Sequence, residues 1–134
     1  MKKIIPFVLG VFCLSGCSSP SARSLSQQAV AEFHQRYNEH DYAGIARMFT
    51  PAYAHLLSLE ALSKKLDAIH LKYGHEVTCR ESSARVMDTI MHISRIELTE
   101  QTTFAGGTTE ERFNFEVTRG KVQLNGYEIS LLNY

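Results

Sequence analysis

Tyrosine and carboxylate side chains could give this chain an acid–base site. The candidates are Tyr37, Tyr42, Tyr53, Tyr73 and Tyr127 with Asp41, Asp67, Asp88 and Glu111. Glu111 is the most informative carboxylate, because it shares the alternation of Phe113 and Phe115 and would point inward with them from a strand. Since it stands at the beginning of that segment, a solvated rim position is the alternative. No motif assigns a catalytic role to any of these groups.

Histidines are the second group that could do chemistry, as metal ligands. The chain has six: His34, His40, His55, His70, His75 and His92. His70 and His75 are five residues apart, and His34 and His40 are six apart, whereas two imidazoles on one helix face need i, i+4 spacing. We therefore expect surface or rim histidines, with no metal and no cofactor. His70, beside Tyr73, could edge a pocket.

The third candidate for chemistry is a cysteine that follows a basic and apolar segment. Lys2 and Lys3 precede an apolar run over residues 4–14, which is shorter than the roughly 20 residues of a membrane-spanning helix. Such a pattern is typical of an export signal. The next residues, "LSGC" at 14–17, resemble the bacterial lipobox at all four positions. The resemblance implies a diacylglycerol on the Cys17 thiol, cleavage before Cys17, and acylation of the new amino terminus.

The same resemblance implies where the protein is found. Two or three acyl chains on Cys17 would anchor it stably to a membrane. Ser18 stands where an Asp would favour the inner membrane of a Gram-negative lipoprotein, so we expect an outer-membrane anchor facing the periplasm. The sequence then divides into a signal peptide (1–16), a lipidated cysteine with a flexible tether (17–24), and one domain (25–134). A signal without lipidation, or a signal anchor, is the alternative.

The charge and cysteine content of the remaining body limit the functions that it can have. The whole chain has 14 basic and 14 acidic residues, and two of the basic ones lie in the predicted signal, so the mature body is slightly acidic. Without a basic run it offers no support for nucleic-acid binding. Cys79 would be its only free thiol, since Cys13 leaves with the signal and Cys17 is acylated. We expect a small buried side chain at Cys79, with a dimer-forming or catalytic thiol as the alternative.

The first half of the body has helical spacing. Apolar residues recur every three or four positions over 25–39, which predicts one amphipathic helix. Asp41 can cap a second, shorter helix, which Thr50-Pro51 would end. A third helix should begin near Ser58 and stop at Gly74.

The second half changes to the period of strands. We expect strands over 75–87 and 89–104, with a loop or bulge near Ser94. A half-buried strand over 109–118 should turn at Arg119-Gly120 into a final strand with a glycine bulge at Gly126.

Two segments resemble the nuclear-transport-factor-2-like (cystatin-like, SnoaL-like) superfamily: "FHQRYNEHDYAGIARMFT" at 33–50 and "TTEERFNFEVTRGKVQLNGYEI" at 108–129. The resemblance implies an α+β fold in which N-terminal helices cover the concave face of a curved antiparallel sheet of about four strands. Inside such a cone, core and pocket lining are one surface at different depths. The candidate pocket residues are Tyr37, His70, Tyr73, Glu111, Phe113 and Tyr127.

This fold hosts enzymes, dimerisation modules and binding proteins, so it does not specify the function. We expect a non-enzymatic, lipid-anchored protein of the cell envelope that acts as a binding or accessory module. Its partners would be the membrane, through Cys17, and a protein or a small apolar ligand at the cone mouth or the outer sheet face. A homodimer through that outer face is an alternative. The outer face is marked by Arg112, Asn114, Glu116 and Thr118.

Two other functional classes stay open. One is an inhibitor or immunity lipoprotein that blocks an envelope-acting hydrolase with an exposed loop, for which 105–108 and the turn near Asp88 are candidates. The other is a small enzyme that uses the cone as its active site.

Overall fold

The computed structural model describes residues 21–132, apart from the side chain of Asp88. Four helices precede four strands: α1 (Ala22–Asn38), α2 (Tyr42–Ala46), α3 (Pro51–Leu56), α4 (Leu59–Tyr73), β1 (Glu76–Ile90), β2 (Ile93–Phe104), β3 (Gly107–Thr118) and β4 (Lys121–Leu131). The expected α+β class is confirmed. Within residues 21–132, no helix has the length and apolar character needed to cross a membrane. The expected lipobox and Cys17 lie outside the described residues.

Side-chain caps set where the helices begin. In each case the side-chain oxygen accepts a hydrogen bond from a backbone N–H three residues on. The four caps are Ser21, Asp41, Thr50 and Ser58. Those at Asp41 and Ser58 agree with prediction. The second helix ends earlier than expected, at Ala46, so the prediction that Thr50-Pro51 ends it is wrong. Thr50-Pro51 instead begins α3, which the sequence did not predict, because proline is well suited to the first helical position.

Helix α1 begins earlier than expected. Residues 22–24 were assigned to a flexible tether but are helical, because the Ser21 hydroxyl accepts from the Ser24 N–H at 3.1 Å. The Arg23 guanidinium also bonds Glu81 of β1 at 2.6 Å and holds this first turn against the sheet. The rest of the predicted tether, residues 17–20, lies outside the described part of the chain.

The strands form one antiparallel sheet in the order β1-β2-β3-β4. The first hairpin turns at Met91-His92, both with positive φ, so the expected turn near Asp88 is wrong: Asp88 lies within β1. The bulge expected near Ser94 is also wrong, since Ser94 pairs regularly with Thr89. The irregularities lie on β1 instead, where three register shifts bend the strand. Alternation alone does not show which of two paired strands carries the extra residues.

The last hairpin follows the prediction. It turns at Arg119-Gly120, and the glycine there has a φ of 78°. Asn114 pairs with Gly126 and Phe115 with Leu124, which leaves the residue at 125 as a bulge next to Gly126. The bulge is held from the helical side, because the Thr50 hydroxyl donates to Asn125 Oδ1 at 2.8 Å.

The core lies between the helices and one face of the sheet. Its residues come from the apolar faces of α1, α2 and α4, from the connection between α2 and α3, and from the inward positions of β2, β3 and β4: Ala29, Val30, Phe33, Tyr37, Tyr42, Ile45, Phe49, Leu62, Leu66, Ile69, Tyr73, Ile96, Leu98, Phe104, Phe113, Phe115, Leu124 and Tyr127. The other face of the sheet is polar, with ion pairs between Arg95 and Glu116 and between Arg112 and Glu110. Strand β1 contributes little to the core and forms an exposed edge. A cleft remains between this edge and α1.

Candidate functional site

Helix α1 carries a histidine on its buried face. Val30, Phe33, His34 and Tyr37 are all buried on α1, as the 3.6-residue period requires. His34 is only 4% exposed. The expectation of a surface or rim histidine is therefore wrong at this position.

Hydrogen bonds through Glu111 connect His34 to the two strands beneath it. Its Nε2 lies 2.7 Å from Glu111 Oε1, and the Tyr127 hydroxyl donates to the other oxygen of Glu111. The Glu111 side chain has no exposed surface. A histidine of α1, a glutamate of β3 and a tyrosine of β4 thus form one buried polar chain, in which each Glu111 oxygen has a partner.

The pKa values in this chain follow from burial and charge. Burial lowers the pKa of His34, but the hydrogen bond to Glu111 and the charges of Glu111, Glu76 and Glu100 outweigh that effect, so its pKa is raised. Burial, together with the Glu111 charge, raises the pKa of Tyr127 well above its usual value. Protonation of His34 is therefore more favourable than that of a free imidazole, and Tyr127 remains a hydrogen-bond donor.

One edge of His34 reaches an open cleft of about 550 Å³ between α1 and the β1 edge. Its lining comes from α1, β1 and β2: Gln27, Val30, Ala31, His34, Glu76, Val77, Thr78, Cys79, Glu81 and Glu100. Three of these side chains are carboxylic acids, and none of the described lining residues is a lysine or an arginine. The cleft therefore combines apolar surface with three carboxyl groups and the edge of His34.

Two of these acids, Glu81 and Glu100, lie side by side on paired strands but differ in their environment. Burial raises the pKa of Glu81, but hydrogen bonds from Gln27 and Arg23 outweigh it and hold the pKa low. Burial also raises the pKa of Glu100, and there the opposing hydrogen bond from Cys79 is not sufficient to reverse it. Glu81 thus ties α1 to β1, whereas the Glu100 carboxyl is bonded to the Cys79 thiol.

Cys79 is not the buried side chain that the sequence suggested. The residue is exposed on the edge strand, although its Sγ turns inward and lies 3.2 Å from Glu100 Oε2. Partial burial, and then the hydrogen bond to Glu100, raises the pKa of the Cys79 thiol. A protonated thiol is a poor nucleophile, so this environment does not favour a catalytic role.

The six predicted pocket residues fall into two groups. Glu111, Phe113 and Tyr127 lie together below His34, with the rings of Phe113 and Tyr127 at a centroid distance of 5.0 Å. All three are buried. They form the floor behind the cleft rather than its lining.

The other three lie about one turn further along α1, at its C-terminal end. The Tyr37 hydroxyl donates to the Gly74 carbonyl at 2.7 Å, and Tyr73 packs on Phe104. His70 is half-buried against the rings of Tyr37 and His40. This group packs the end of α4, so a pocket that unites all six residues stays a prediction without direct support.

Sequence reasoning overlooked His34, Glu81 and Glu100 as members of one site. For His34 a signal existed, because it follows Val30 by four residues and precedes Tyr37 by three, on the predicted apolar stripe. For Glu81 and Glu100 there was none, because their approach depends on the register of β1 and β2.

Over the described residues, 21–132, no group of three or more His, Cys, Asp or Glu side chains has the geometry to hold a metal ion. Among protein-family models and curated proteins, none matches this sequence.

Proposed function

We propose that this chain is a lipid-anchored protein of the cell envelope whose domain, of nuclear-transport-factor-2-like type, binds a ligand without transforming it. The anchor is Cys17, and the location is the periplasmic face of the outer membrane. The observation that carries the binding proposal is the cleft of about 550 Å³ beside His34, with its acceptor groups and its apolar patch.

The lining suggests the class of ligand. Ala31 and Val77 provide exposed apolar surface, and Glu100, which is 3% exposed, lines the wall with a carboxyl group whose pKa burial has raised. A nearby positive charge favours the ionised form of such a group. We therefore infer a small ligand with an apolar body and an ammonium or similar donor group, rather than a purely apolar one.

The internal hydrogen bonds favour binding over catalysis. Glu111, the most informative carboxylate of the sequence, has both oxygens bonded within the core and no exposed surface to offer a substrate. Tyr127 and Cys79 both have raised pKa values, chiefly through burial, and stay protonated. A small enzyme therefore has less support than a binding module.

The inhibitor alternative also has less support. Of its two candidate loops, 105–108 is tied down, because the backbone N–H groups of Ala105 and Gly106 donate to the carbonyls of His75 and Tyr73 at 2.9 and 2.7 Å. The other, near Asp88, lies within β1. Neither projects as an inhibitory loop.

Ligand-observed NMR with butylammonium and neutral butanol as paired probes tests the binding proposal on the purified protein. Butylammonium should bind more tightly, and Glu100→Gln should weaken it roughly tenfold, the usual loss for one charge-assisted hydrogen bond. Glu110→Gln is the matched control, because Glu110 lies on the polar outer face beside Arg112. Equal binding of both probes, or equal losses in both variants, would contradict the proposal.

A further inference from the structure

One end of the sheet exposes apolar side chains beside cations. Strand β1 ends at Ile90, which is 61% exposed, and the next residue, Met91, is 86% exposed. Because Ile93 pairs with Thr118, the turn after β3 lies alongside this first turn. We call this surface, formed by Ile90, Met91, Arg119 and Lys121, the hairpin end.

The composition of the hairpin end matches a lipid interface. Exposed Ile and Met side chains contribute nothing to the core here, whereas the exposed Arg119 and Lys121 can hold their charges at the level of lipid headgroups. Clustered cations beside apolar side chains favour binding to anionic membranes, because charge attraction and burial of apolar surface both contribute.

The direction of α1 brings the chain's amino-terminal side toward this end. Gln27 and Arg23, at the start of α1, bond Glu81, whereas Asn38, at its end, bonds the backbone of Glu76. Helix α1 therefore runs antiparallel to β1, and its first turn is the part nearest the hairpin end.

Chain length then limits where the membrane can be. Four peptide units separate Cys17 from Ser21, so they span about 14 Å at most. Strand β1 continues for about 30 Å from Glu81 to the turn at Met91. Because the tether is shorter than this part of β1, a bilayer that holds acyl chains on Cys17 meets the hairpin end only if the domain tilts, so that the first turn of α1 also lies close to the lipid surface.

We propose that the hairpin end rests on an anionic lipid surface and fixes the orientation of the domain on the membrane. The length argument rests on the proposed acylation of Cys17, whereas the apolar and basic composition does not. The domain would then lie tilted on the bilayer, with the hairpin end in contact with lipid and the β2–β3 turn farther from it.

The chain contains no tryptophan, so a single introduced one reports its own surroundings. The full chain would be purified from bacterial membranes and placed in protein-free vesicles of phosphatidylglycerol and phosphatidylcholine with brominated acyl chains. Ile90→Trp puts the fluorophore at the hairpin end. Leu71→Trp is the control, because Leu71 is 89% exposed and lies near Tyr73, which bonds the β2–β3 turn at the other end of the sheet.

The tryptophan at position 90 should be quenched at least threefold more than the one at 71, with a blue-shifted emission. Adding Arg119→Glu and Lys121→Glu should remove most of that quenching in anionic vesicles. Equal quenching at both positions, or none at either, overturns the proposal and leaves a protein as the partner of this surface. Quenching that survives the charge reversal overturns the proposed preference of the hairpin end for anionic lipid.

Mass spectrometry of the same samples separates this proposal from the proposed anchor. If Cys17 carries no acyl groups but the tryptophan at 90 is still selectively quenched, the anchor is wrong and the hairpin end stands. If Cys17 is acylated and the two positions behave alike, the anchor stands and the hairpin end is wrong.

Discussion

His34 combines the properties of a core residue and of a site residue. Its ring packs at right angles to Phe113, at a centroid distance of 5.8 Å, and its Nε2 bonds a carboxylate that has no exposed surface. A charged group in such a place is costly unless it is paired, and here Glu111 provides the partner. The same residue borders the cleft, so the buried His34–Glu111 pair lies next to space that a ligand can enter.

Replacement of His34 should change how stability depends on pH. The pKa of His34 is raised on folding, so the folded state binds more protons above pH 6.5. Its stabilisation is complete below that pH and is lost as the pH rises through the folded-state pKa. The free energy of unfolding, from urea titrations between pH 6 and 9, should therefore fall with pH in the wild type and fall less in His34→Gln.

The control for that experiment is His55→Gln, since His55 is exposed on α3. It should leave the slope as in the wild type. Glu100 also has a raised pKa and contributes a slope of the same sign, but its window begins above pH 4.5. An unchanged slope in His34→Gln would show that the His34–Glu111 pair does not gain a proton on folding.

At the scale of elements, Gly74 lies in the short connection between α4 and β1. Gly74 ends α4 with φ 77° and ψ −157°, a backbone conformation that only glycine adopts readily. Its carbonyl accepts from the Tyr37 hydroxyl, so the same residue connects α4 to α1. The direction in which β1 leaves the helices depends on this position.

Gly74→Ala should lower the free energy of unfolding by about 1–3 kcal/mol, the usual cost of a non-glycine residue in this region. The added Cβ would also come within 3.2 Å of Ala105 Cβ. Gly120→Ala is the matched control, because Gly120 has a similar φ of 78° but nothing within 4 Å of the added Cβ. Thermal and urea unfolding measure both. A loss at Gly74 no larger than that at Gly120 would contradict the role of the Ala105 contact.

At the scale of the whole molecule, the two sides of the sheet and its two ends have different characters. The helices cover one face, the other face is polar, and the exposed edge strand β1 borders the acidic cleft. The end near Met91 is apolar and basic, whereas the end near Gly106 is tied to α4. In the proposed membrane contact, this difference between the two ends would fix the orientation of the domain.

Cys17→Ser tests the proposed anchor. Without the thiol no diacylglycerol can be attached, so the unprocessed precursor should accumulate in the membrane fraction. Intact-mass analysis and fractionation measure this, and Cys79→Ser, at the exposed edge, should be processed as the wild type. Normal processing of Cys17→Ser would refute the lipobox.

Local patterns were enough to predict much of the fold. The stripe that ends at Tyr37, the caps at Asp41 and Ser58, the turn at Arg119-Gly120 and the bulge beside Gly126 all depend on neighbouring residues, so each can be recognised within a few positions of the chain. The hairpin at Met91-His92 was misplaced because β-branched and apolar residues continue through it without a turn signal.

The site depended on contacts that no local pattern contains. Glu111 was recognised as inward-facing from its alternation, but its partner His34 is 77 positions away and meets it only when α1 docks across β3. The cleft likewise exists because the register of β1 brings Glu81 opposite Glu100 while α1 crosses above both. Periodicity states which face a side chain occupies; the packing of distant elements decides which side chains meet on that face.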